Sequence, residues 1–100
     1  MSTVTEFKGA IAAAARRQRE IRHAIGRSHA DRFASMTTVG DFSFRVSIPH
    51  ACSSDGVWTR GYRGEVAYRG EIVHRAVYDT QAAMVANMAQ IAVTVAREAR

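Results

Sequence analysis

One hundred residues, 47% of them hydrophobic and 23% charged, suffice for one domain with a modest core, residues 1–100, and exclude a disordered chain. No apolar run approaches the roughly 18 residues a membrane span needs, and the opening MSTVTEFKG lacks the basic-then-apolar pattern of a secretory leader. The net charge is +5, thirteen of the fourteen cations are arginine, and Cys52 is the only cysteine. These features predict a cytoplasmic protein without an internal disulfide, facing acidic protein surface or nucleic acid, although a GC-rich gene would also supply many arginines and alanines.

The first element reads as a helix. Thr3 and Glu6 have capping-box spacing, and Val4, Phe7, Ile11, Ala14, Ile21 and Ile25 recur every three or four residues, with Gln18 in the one polar slot. Gly26 is a C-terminal stop signal, and Ser28 with Asp31 can cap a short further turn through Phe33; a helix unbroken to about Met36 is the alternative. Arg16, Arg19, His23 and Arg27 share the side opposite the apolar face, with Arg17 and Arg22 flanking the buried edge and Glu20 placed to pair with Arg16. This face is either a solvated surface or a contact for phosphates or acidic side chains, and Arg45, Arg63 and Arg69 on strands can extend it.

Phe42, Phe44, Val46 and Ile48 alternate with Ser43, Arg45 and Ser47, the pattern of a half-buried strand ended by Pro49. Residues His50 to Gly56 read as a loop. His50, Cys52 and Asp55 lie close together there, but three groups in one short loop seldom acquire the geometry of a nucleophile and its base. The histidines show no metal-ligand spacing, and no phosphate loop, dinucleotide fingerprint or HExxH motif occurs, so we expect neither catalysis, metal nor cofactor.

From Val57 to Tyr78 the chain predicts two strands, about 57–68 and 71–78, joined at Arg69-Gly70. In that register Val66 faces Val73 and Tyr62 faces Val77. Arg60 and Arg75 then fall on the same apolar face, which calls for a bulge near Gly61 or Gly64. Asp79 or Thr80 caps a last helix with two stripes: Met84, Met88, Ile91 and Val95, and nearly opposite Ala82, Ala86, Ala89, Val93 and Ala96. The small-residue stripe suits close approach of helix one or of a second copy in a homodimer. The predicted fold is α+β: helix, three-stranded antiparallel sheet, helix, with both helices packed on one sheet face.

Helix, three strands, helix resembles the layout of double-stranded RNA-binding domains, but the last helix opens Asp79-Thr80-Gln81-Ala82-Ala83, without the lysine cluster that family aims at phosphates. Over residues 40–100 the strands running into that helix resemble HicB-type antitoxins and small phage-encoded anti-CRISPR inhibitors. The second resemblance implies a non-enzymatic module that binds a host protein or ribonucleoprotein, the CRISPR effector complex. The +5 charge departs from the acidic nucleic-acid mimics among those inhibitors. Contacts would come from Arg16, Arg19, His23, Arg27 and Arg63 with Trp58, Tyr62 or Tyr68 as aromatic anchors, Trp58 being a core candidate as well. A nucleic-acid-binding domain using the arginine face, and a small oligomeric assembly protein joined through Ala82, Ala86, Ala89, Val93 and Ala96, are the alternatives.

Overall fold

The computed structural model describes residues 3–25, 34–48, 51–52, 58–59 and 61–99, with Ile25, Ala51, Cys52, Trp58 and Thr59 described through their backbone alone. Helix α1 covers Val4–Ile25. Its start follows from the Thr3 hydroxyl, which accepts from the Glu6 amide at 3.3 Å and so satisfies a donor the helix cannot. Gly26 and the Ser28–Asp31 turn lie outside the described residues.

Four strands make the main sheet: β1 (Ser35–Val39), β2 (Phe42–Ser47), β5 (Tyr62–Tyr68) and β6 (Glu71–Tyr78), antiparallel in the order β1-β2-β5-β6. Between β2 and β5, β3 (Ala51–Cys52) and β4 (Trp58–Thr59) form a separate small pair. Helix α2 (Gln81–Glu98) follows, its first turn capped by the Thr80 hydroxyl, which accepts from the Ala83 amide at 3.1 Å.

The α+β class holds, and the sheet gains one strand over the expected three. Residues 35–39 are strand rather than the end of a longer helix, because Gly40, with a φ of 58°, turns the chain tightly into β2. The stretch read as a loop contains β3, and the expected strand 57–68 is divided into β4 and β5. The hairpin at Arg69-Gly70 is as expected, both residues having positive φ (50° and 84°), which matches the strand twist in two-residue turns. Its bulge is displaced: the register shifts at Val66/Ala67, so Tyr62 pairs with Tyr78 and Val66 with His74, leaving Val73 as the extra residue of β6.

Both helices cover the same sheet face. Phe7 of α1 packs edge-on against Phe42 and Phe44 of β2, with ring centroids 5.3 and 5.7 Å apart. Met88 of α2 lies against Gly64 of β5, which pairs with Val46 beside those rings. The core is completed by Ile11, Ala14, Ala15, Ile48, Val66, Met84, Ala89 and Ala92. Its polar slot is explained by Gln18, fully buried, whose Oε1 accepts from the Ser35 amide at 3.0 Å and the Ser35 hydroxyl at 3.3 Å, fastening α1 to the start of β1. Gln18→Ala removes the acceptor from a buried amide, so urea unfolding should show a loss of about 1–3 kcal/mol.

Candidate functional site

Two surfaces remain once the core is assembled. The first is the outer side of α1, where Arg16, Arg19, Glu20 and His23 are exposed. Arg19 is tied down: its guanidinium donates to Oε1 of Gln81 at the start of α2. Arg17 donates to the Met36 carbonyl at 3.0 Å, clamping α1 to the edge strand β1. The ion pairs among the described residues are Arg69–Asp41, which joins the two hairpin turns, and Arg75–Glu65; the expected Arg16–Glu20 pair is not among them. Arg27, Arg60 and the side chain of Trp58 lie outside the described residues.

The second surface is the sheet face turned away from the helices. Alternation along paired strands sends Met36, Arg45, Glu65 and Arg75 outward in one row, Thr38, Ser43, Ala67 and Ile72 in the next, and Ser47, Arg63 and Val77 in a third, where Ser47 is nonetheless buried. Neighbours in a row stand about 4.5–5.5 Å apart at Cβ. Five large hydrophobic side chains are exposed among the described residues. Four belong to this face or its bulge: Met36 (60%), Ile72 (50%), Val73 (41%) and Val77 (65%).

The expected site residues therefore separate. Arg16, Arg19 and His23 stay together on α1, while Arg63 projects from the opposite side of the molecule. Tyr62 and Tyr68 are not exposed anchors: both lie on the helix side and pack against the core, Tyr68 at 4.9 Å from Phe42 and beneath the Arg69 guanidinium. The alanine stripe divides as well. Ala89 is fully buried, Val93 and Ala96 are half-buried, and Ala82 and Ala86 are exposed; α1 packs along α2. Sequence reasoning placed Val73 and Val77 inside and left Met36 and Ile72 unassigned.

Polar chemistry is sparse. The Tyr78 hydroxyl spends its one proton on Oδ1 of Asn87 at 2.6 Å, so Nε2–H of His74 is the donor in the 2.6 Å contact to the Tyr78 oxygen. This chain fastens β6 to α2. Burial pushes the Tyr78 pKa above its ordinary 10.0. A folded pKa above the unfolded one means the proton is held more tightly in the native state. That contribution is full below pH 10 and is lost as pH rises through the folded value. Tyr78→Phe should cost about 0.5–1.5 kcal/mol near pH 7 by losing the hydrogen bond, and its gap to the parent should narrow above pH 10 in denaturant titrations.

Cys52 has its backbone in β3, whereas His50 and Asp55 lie outside the described residues. No group of three His, Cys, Asp or Glu able to hold a metal forms among the described residues, nor is any described helix long and apolar enough to cross a membrane. Compared with known proteins, the chain matches no family model, no curated protein and no solved structure.

Proposed function

We propose that this chain is a non-enzymatic protein-interaction module, in the form the anti-CRISPR resemblance implies: a phage or mobile-element inhibitor that binds a host CRISPR effector complex. One observation carries the interaction reading. Four aliphatic side chains are exposed on the sheet face away from the helices or at its bulge, Met36 on one edge strand and Ile72, Val73 and Val77 on the other, with arginines between them. Exposed apolar side chains interleaved with arginine favour macromolecular contact. Methionine and arginine, both present there, are residues that interfaces favour.

The test is affinity capture of the tagged chain from lysate of a host expressing a CRISPR effector complex, with nuclease added, read by mass spectrometry. Effector subunits should be recovered from the parent, and about tenfold less from a Met36→Asp/Val77→Asp variant that remains folded, a loss equal to roughly 1.4 kcal/mol. Recovery of other proteins would sink the defence-complex form, and recovery of none would sink the module itself.

A second reading, nucleic-acid binding, is favoured by the shared exposure of Arg16, Arg19 and His23 on α1. It requires duplex or single-strand affinity that falls steeply with salt and drops on Arg16→Glu/Arg19→Glu. Unchanged binding in that variant would exclude it.

A further inference from the structure

We infer that the bare sheet face is the docking surface, and that its occupant is a protein segment carrying carboxylates between aliphatic side chains. This inference rests on the interaction-module reading and adds the surface and the chemistry of the partner.

Glu65 stands opposite Arg45 on one side and Arg75 on the other, with Arg63 two residues along the same strand. The carboxylate is engaged by Arg75, whose Nε donates to Oε1 at 2.9 Å. Arg45 and Arg63 are exposed and take part in no ion pair or hydrogen bond among the described residues. The face thus carries three arginines about one glutamate, two of them uncompensated, bordered by Met36 on β1 and by Ile72, Val73 and Val77 on β6. Arginine takes a carboxylate through two parallel N–H donors, and the surrounding aliphatics strengthen such a pair by excluding water.

Charge complementarity selects among occupants. A second copy of this chain would bring Arg45 and Arg63 against the same cations, and like charges across an interface are costly. Nucleic acid satisfies the arginines but gains nothing from the four aliphatics. Among the described residues it also finds no stacking platform, because Phe42, Phe44, Tyr62, Tyr68 and Tyr78 all lie on the helix side. An acidic segment with interspersed aliphatic residues uses both components.

The test is panning of a phage-displayed library of random dodecapeptides against the full chain, followed by titration of the best synthetic peptide into ¹⁵N-labelled protein. Selected peptides should pair Asp or Glu with aliphatic residues and shift amides of β1, β2, β5 and β6. Arg45→Glu/Arg63→Glu should weaken binding by at least about tenfold with an unchanged circular dichroism spectrum, whereas Arg16→Glu/Arg19→Glu should change it less than about twofold. Peptides without acidic residues, shifts confined to α1, or sedimentation showing a dimer broken by the Arg45/Arg63 change would each overturn the proposal. So would panning that yields no binder. If nuclease-resistant capture succeeds equally with the Arg45/Arg63 variant, the docking surface falls and the module reading stands. If capture fails with the parent chain, the module reading itself falls.

Discussion

Phe44→Ala should lower the stability of this domain by about 3–5 kcal/mol, the cost of deleting a buried phenylalanine and leaving its cavity. Phe44 is fully buried at the centre of an aromatic cluster, 5.7 Å from Phe7 and 6.2 Å from Phe42. It also pairs with Thr37 on β1 and Val66 on β5, so it joins the strand side of the core to α1. The neighbours have little freedom to close the void, because Phe7, Ile11 and Val66 are themselves held by both layers. Domains of this size are stable by only about 5–15 kcal/mol, so the variant should melt about 12–40 °C lower at roughly 4–8 °C per kcal/mol. Val77→Ala is the control: its side chain is 65% exposed on the opposite sheet face and should cost no more than about 0.5 kcal/mol. Comparable losses in the two variants would mean that the assignment of the sheet's faces is wrong.

That assignment shows which parts of the fold were legible in the sequence. Phe42, Phe44 and Val46 alternate cleanly and lie in a central strand, where pattern and burial coincide. The first helix was readable for the same reason, its apolar positions having one period, with Gln18 in the one polar slot. Strand β6 was not. The apolar residues Val73 and Val77 are four apart, and placing them inward puts Arg75 on the buried face, a contradiction contained in the residue pattern itself. A bulge was the right remedy in the wrong strand. Because Val73 is the extra residue of β6, every residue beyond it changes face, which turns Arg75 and Val77 outward and sends His74 and Tyr78 under α2.

The same displacement hid the candidate surface, since alternation without the bulge counts Val77 as core. Strand β1 was missed although its signal was present: Met36–Val39 is rich in β-branched residues and is followed by Gly40-Asp41, a two-residue hairpin turn. The competing extension of α1 masked it. The arginine face of α1 was legible as a helical side. Its separation from Arg63 was not, because only the layering of helices over one sheet face puts the two on opposite sides.

Gly64→Ala and Met88→Ala should be far from additive, and their coupling tests how tightly α2 sits on the sheet. A methyl group at Gly64 would lie 2.3 Å from Sδ and 3.2 Å from Cε of Met88, and 3.4 Å from Cγ of Met84. The backbone there does not require glycine, since among the described residues the positive-φ glycines are Gly40 and Gly70, and alanine would otherwise be favoured through the unfolded chain. Steric conflict alone opposes it. Met88 is fully buried and Met84 lies beside it against Gly64, so the flexible thioether of Met88 has little open space to swing into. Gly64→Ala should therefore cost about 1–3 kcal/mol through overpacking. Met88→Ala should cost about 2–5 kcal/mol through the cavity it leaves. In the double variant the new methyl enters that cavity, so adding Gly64→Ala to Met88→Ala should be neutral or stabilising, with a coupling of about 1–3 kcal/mol from urea titrations. Simple additivity would mean that Gly64 does not set the approach of α2, and that the helix is held by its flanking contacts, Thr80 at one end and the Tyr78–Asn87 hydrogen bond along its side.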